Sequence, residues 1–181
     1  MLSHEKWVVR RGPLYAYFSS KESLFTAVVT SECQRQAQIL DSVEAEQLPI
    51  ALALRQVGNW FLDFIIGSDV VALHRIVIAE AHRFPEFGRI FFECGPVKVR
   101  SMIAAFLNRP AIRRELNIPN TEVAAEIFLS LIKGQFQTCS ALGFAPPSAS
   151  ERIEWVNMVV DFWMAGYDRQ NEHRSRENGS D

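Results

Sequence analysis

The chain has 181 residues, enough for one or two domains that bury most of their apolar surface. Its 48% hydrophobic and 22% charged residues are ordinary for a globular protein, and a net charge of -2 excludes a polycation, so any nucleic-acid surface has to be local. Three scattered cysteines, Cys33, Cys94 and Cys139, suggest neither a disulfide framework nor a zinc site, and the most apolar window, Trp60 to Ala79, is interrupted by Asp63, Asp69, His74 and Arg75; a cytoplasmic protein without a membrane span is expected.

In chain order, the first feature is a short positive segment, Lys6, Arg10 and Arg11, with His4 beside it and Glu5 opposing it, suited to a few phosphate contacts. Residues 12 to 25, Gly-Pro-Leu-Tyr-Ala-Tyr-Phe-Ser-Ser-Lys-Glu-Ser-Leu-Phe, then read as the end of one short helix, a tight corner and a capped second helix. Ser19 with Glu22 forms a capping box, and Ser20 is an alternative cap, for a helix running to about residue 43. Lys21 falls in the first turn, where a cation opposes the helix dipole unless an anion such as a DNA phosphate lies nearby. Taken singly, Tyr15 and Phe18 are better read as packing residues and Lys21 as merely exposed; their joint spacing is what favours DNA contact.

Together, Gly12, Leu14, Tyr15, Tyr17, Phe18, Ser20, Lys21, Glu22, Leu24 and Phe25 resemble the recognition-helix end of TetR-family repressors; Pro13 stands where Thr or another small residue is usual. The resemblance implies a helix-turn-helix with Tyr15, Tyr17 and Lys21 as DNA contacts, and Arg11 and Pro13 are added by adjacency. That family places further helices before the motif, whereas here only Met1 to Arg11 precede it, and such a segment makes at most about three turns. Residues 1 to 44 are therefore expected to be a partial helix-turn-helix remnant and connecting helix, with operator binding weak or lost.

The remaining elements are predicted to be helical throughout, because apolar residues recur at three and four and no alternating strand pattern appears. Leu48-Pro49 opens a helix that Gly67 closes, and Ser68 and Asp69 are candidate caps for the helix from Val70 to Arg83. Phe84-Pro85-Glu86 ends that helix and opens another, kinked at Gly95-Pro96, which runs to about Asn108. Arg109 to Asn120 reads as a connector with one short helical turn. Asn120 or Thr121 caps a long helix ending at Leu142-Gly143, Pro146 to Ser150 form a loop, and a last helix runs from about Glu151 to Arg169. Residues 171 to 181 are polar and expected to be a disordered tail after a ligand-binding and dimerisation domain spanning 45 to 170.

The motif Ile78-Ala79-Glu80-Ala81-His82-Arg83-Phe84-Pro85-Glu86-Phe87-Gly88, followed by Phe91 to Pro96, resembles the C-terminal domain of the AefR-like branch of the same family. This implies a small hydrophobic effector. Trp60, Phe61, Phe64, Phe91, Met102, Phe106 and Phe128 are the candidate pocket residues, with Gln135 as polar anchor; the competing view is that these side chains fill the core. The last two long helices are apolar on two sides, predicting a homodimer through a four-helix bundle with Ile127, Leu131, Trp155, Val159, Phe162 and Trp163 at the interface.

No nucleophile elbow, phosphate-cradling glycine loop or Cys/His pair with recognisable context appears. His74 and His82 lie two turns apart but lack a third ligand, so no catalysis, metal or cofactor is expected. Two readings stand: a ligand-responsive transcriptional regulator of repressor type, or a ligand-binding or protein-interaction dimer that has lost DNA binding.

Overall fold

Local chemistry sets most helix boundaries in the computed structural model, which describes residues 20, 23–31, 34 and 48–168. The helical stretch 23–31 starts at Ser20, whose Oγ accepts the Ser23 N–H at 3.1 Å while Ser23 Oγ accepts the Ser20 N–H at 3.1 Å. The expected Ser19–Glu22 capping box lies outside the described residues, as do Arg11, Pro13, Tyr15, Tyr17, Lys21 and the tail from 171 to 181.

Helix α1 (Ile50–Ile66) begins behind Pro49, whose carbonyl accepts the N–H groups of Leu52 and Ala53, and ends at Gly67. Helix α2 (Ser68–Glu80) follows directly, with Ser68 and Asp69 inside its first turn and making no side-chain cap. Pro85 is the first residue of α3 (Pro85–Phe92), where its missing N–H has no helical partner to lose. The expected kink is a five-residue π-helical segment, Glu93–Val97, carrying Pro96 and leading without a break into α4 (Lys98–Leu107). The connector holds the short helix α5 (Pro110–Glu115), with Ile112, Leu116 and Ile118 buried beneath it.

Asn120 caps α6 (Thr121–Lys133), its Oδ1 accepting the N–H groups of Glu122 and Val123 at 3.0 and 3.1 Å. The long helix expected to reach Leu142 instead breaks at Gly134, which has φ 47°, and restarts as α7 (Phe136–Ala141). A Cβ on Gly134 would come within 3.0 Å of Trp155, and the Trp155 indole N–H donates to the carbonyls of Leu131 and Ile132 at 3.2 and 3.0 Å. The break therefore lies against Trp155 of another helix, which bonds two carbonyls of the last α6 turn. Helix α8 (Ala149–Tyr167) starts two residues before the expected Glu151, because Ser148 and Glu151 form a complete capping box.

The core lies where α1, α4, α6 and α8 meet: α4 runs along α6, and α8 lies against α1 and α6. Leu54, Leu62, Ile103, Phe106, Phe128, Ile132, Val156 and Val160 are fully buried there. Gly58 permits the closest approach, since a Cβ would sit 2.8 Å from Val156 Cγ1 and 3.0 Å from Ile132 Cδ1. Arg152 pairs with Asp63 at 2.9 Å and Arg55 with Asp161 at 2.5 Å, tying α8 to α1 near both ends. These pairs are partly exposed and fix orientation more than they stabilise. At the far end of α8, the Asn117 N–H donates to the Tyr167 carbonyl at 2.9 Å, and Leu116 bridges to Asp168.

Candidate functional site

Beside this core, α1, α2, the π-helical segment and α6 line an open-sided pocket of about 180 Å³. Helix α1 contributes Phe61, Phe64 and Ile65, α2 contributes Val70, Leu73 and His74, and Phe91, Gly95, Pro96 and Val99 come from the α3-to-α4 run. The other side carries Glu126, Leu129, Ser130 and Lys133 from α6 and Gln137 from α7. The stretch 23–31 closes the wall with Val29, which is only 3% exposed. One turn earlier, the Phe25 ring stacks on Phe87 of α3 with centroids 5.0 Å apart. The helix that follows the N-terminal motif is therefore docked on the helical body at two points.

The pocket wall is mostly apolar, with His74 on the α2 side and Glu126, Ser130, Lys133 and Gln137 on the α6–α7 side as its polar members. His74 is held by stacking on Phe91, centroids 5.8 Å apart, and its buried Nδ1 has no hydrogen-bond partner among the described residues. Burial, and secondarily the nearby Lys133 ammonium, push the imidazole below its ordinary value, so it is neutral at pH 7. Glu126 is engaged by Arg100 at 3.6 Å, and Arg100 also bonds Glu122 at 3.2 Å. Lys133 forms no ion pair among the described residues. The pocket thus combines a largely apolar wall with one buried polar nitrogen that has no partner among the described residues.

Of the eight residues anticipated for a pocket, Phe61, Phe64 and Phe91 line the cavity. Phe106 and Phe128 are wholly buried core residues, and Trp60 and Met102 pack against that core. These four lie in or against the core and do not border the pocket, whereas Phe61 belongs to the core and borders it as well. Gln135 falls in the exposed break after Gly134, so Gln137 takes the polar position on the cavity wall. His74 and Lys133 were missed; their only sequence signal was a polar residue recurring within an apolar helical face.

The six anticipated interface residues divide similarly. Val159 and Trp163 are 5% and 2% exposed, buried in the chain's own core and unavailable to a partner, while Leu131 and Trp155 are half-buried against it. Ile127 and Phe162 remain exposed, as do Val123 on α6 and Met158 on α8. In the Glu80 to Glu86 motif, the Arg83 guanidinium lies 5.2 Å over the Phe84 ring, and Glu86 pairs with Arg89, which also reaches Glu93 at 3.1 Å. These are local braces at the α2-to-α3 corner, away from the cavity lining.

Residues 52–169 match the model of the AefR-like transcriptional repressor C-terminal domain. Among solved structures, the chain is similar to a TetR-family transcriptional regulator from Mesorhizobium loti, with TM-score 0.76 and 22% identity over 85% of this chain and 78% of that one. It is also similar to the flavonoid-responsive regulator FrrA, with TM-score 0.73 and 29% identity over 86% of this chain and 79% of that one. A TetR transcriptional regulator from Agrobacterium tumefaciens gives TM-score 0.68 and 23% identity over 89% and 79% of the two chains. No curated protein sequence matches the chain.

Proposed function

Since this chain belongs to the TetR family of transcriptional regulators, with the AefR-like C-terminal domain over residues 52–169, we propose that a small hydrophobic effector in the cavity modulates its affinity for operator DNA, repression being the unliganded state. Regulators of this family act as dimers that bind DNA and small-molecule effectors. The observation that carries the reading is Val29: one helical stretch follows the DNA-reader motif and also forms part of the cavity wall. A guest pressing on Val29 shifts that stretch, and the Phe25–Phe87 stack sets where it pivots.

In this reading residues 1 to 44 form the reader and its connecting helix, with Arg11, Pro13, Tyr15, Tyr17 and Lys21 touching DNA, and residues 45 to 170 form the sensor. The dimer forms through Val123 and Ile127 of α6 and Met158 and Phe162 of α8, whose exposed apolar surface gains about 25 cal/mol per Å² on removal from water. The protein works in the cytoplasm; among the described residues no helix is long and apolar enough to cross a membrane.

The test is a gel-shift with the promoter DNA beside the chain's own gene, run with wild type and with Val29→Trp, which fills the cavity from the helix side. Specific binding by wild type that Val29→Trp weakens while the fold is retained supports the reading. Absence of any sequence-specific shift overturns operator binding and leaves a ligand-binding dimer as the remaining function.

A further inference from the structure

Next to the pocket, one side chain ties two of its walls together. Arg75 follows His74 on α2, and its guanidinium crosses to the end of α7, where Nε donates to the Ala141 carbonyl at 2.7 Å and Nη2 to the Ser140 carbonyl at 2.6 Å. Both acceptors lie about one turn beyond Gln137, the α7 residue on the pocket wall. The same helix end carries its own backbone cap: the N–H groups of Gly143 and Phe144 donate to the carbonyls of Ser140 and Cys139 at 3.1 and 3.0 Å, with Gly143 at φ 87°. Arg75 adds two charge-assisted bonds at that end, where the last carbonyls favour a cation.

Of the helices around the pocket, α7 has the least else to hold it. None of its residues is buried, whereas Phe61 and Ile65 of α1, Val99 of α4 and Leu129 of α6 belong to the core as well as to the pocket wall. Gly134 and Gly143, which alone among the described residues have positive φ, bracket it. Its start is anchored by Phe136, edge-on to Trp155 with centroids 5.6 Å apart, so the end that Arg75 grips is the one free to swing. We propose that Arg75 is a clamp across the seam between α2 and α7, and that a guest enters and leaves the pocket when this seam opens. The passage of a guest rests on the reading of this pocket as the effector site. Opening breaks two bonds at the exposed surface, whose groups rehydrate at once; parting α6 from α8 would instead uncover core side chains and the buried Trp163 bond. Arg75 is thus a positioning residue, setting how often the wall stands open.

The experiment is amide hydrogen exchange, read by mass spectrometry on the full chain without DNA, for wild type, Arg75→Met and Arg75→Lys. In wild type α7 is expected to exchange before α6 and α8. Arg75→Met should speed α7 by about tenfold and leave α8 unchanged, and Arg75→Lys, which returns a cation to the same carbonyls, should restore part of the protection. Equal exchange of the three helices in wild type, or equal acceleration of all three by Arg75→Met, overturns the clamp. Stopped-flow fluorescence with N-phenyl-1-naphthylamine, a neutral apolar probe, tests the passage. Arg75→Met should raise its association and dissociation rates together by about tenfold with Kd unchanged, since the clamp acts on opening and not on the occupied pocket. Val29→Trp, which fills the pocket, should abolish the signal. Unchanged rates, or a signal that survives Val29→Trp, overturn passage through the seam. No probe signal in either protein, with the exchange result as expected, keeps the clamp but overturns the passage and the effector reading with it.

Discussion

The Trp163 indole N–H donates to the main-chain carbonyl of Ala124 at 3.1 Å, a buried bond joining α8 to α6 across 39 residues of sequence. Phe128 packs edge-on against the same indole, centroids 5.5 Å apart. Trp163→Phe keeps much of the ring and deletes the donor, leaving a void and a missing bond. The expected loss is about 1–3 kcal/mol, read as a lower midpoint in urea unfolding with an unchanged m-value.

Gly58 makes a second, steric prediction. Alanine in a helix interior is worth about 1 kcal/mol over glycine, yet here its methyl would lie 2.8 Å from Val156 Cγ1. Overpacking of this kind costs about 1–3 kcal/mol, so Gly58→Ala should be neutral to destabilising rather than stabilising. Combining it with Val156→Ala should cost less than the sum of the two single changes, measured as a double-mutant cycle.

The capping box at α8 is testable alone. Ser148→Ala removes the acceptor for the Glu151 N–H and one donor to the Glu151 carboxylate. A loss of about 1 kcal/mol is expected, a fall in Tm of about 2–4 °C for a chain of this size.

His74 gives the stability a pH dependence of defined sign. The unfolded imidazole protonates near 6.5, and the folded one only at lower pH because burial, then Lys133, disfavours its charge. Above 6.5 both states are neutral and His74 contributes no slope. As pH falls through that value the unfolded state takes up a proton that the folded state refuses, so stability drops until the folded imidazole also titrates. Denaturation midpoints at pH 7 and pH 5 should therefore differ less in His74→Phe than in wild type. An equal acid loss in both proteins would refute this assignment of the slope. Lys133 and Glu126 line the same cavity, so both must be kept in the comparison.

The proposed dimer surface predicts its own disruption. Phe162 is 70% exposed and Ile127 42% exposed, and neither belongs to the buried core. Ile127→Glu with Phe162→Glu should sediment as a monomer with an intact helical spectrum; a wild-type monomer at micromolar concentration would refute the interface.

What the sequence made legible was local. Pro49, Pro85, Pro110 and Asn120 mark helix starts because their effects act within one turn, and the kink at Gly95-Pro96 follows from a missing donor. The break at Gly134 was not read from the sequence; the residue packed against it, Trp155, is on another helix. That displacement also moved the polar anchor from Gln135 to Gln137. The aromatic residues could not be sorted in advance into cavity and core: Phe61 belongs to the same core cluster as Phe128 and also borders the pocket, a difference set only by which helices pack alongside each. The charge balance on the α6 side of the pocket was hidden for a similar reason, because Arg100 finds Glu126 only after α4 and α6 pack together.

The π-helical turn at Glu93–Val97 accommodates an additional residue between two stretches of ordinary α-helix. An α-helix advances about 100° per residue, so the insertion resets the angular phase: Phe91 ahead of it and Ile103 behind it address different neighbours, one the guest chamber and the other the interior. Open space surrounds Gly95, and Pro96 weakens the backbone ladder at the same place. A methyl at Gly95 would therefore meet no neighbour, whereas the same addition at Gly58 would strike Val156 and Ile132.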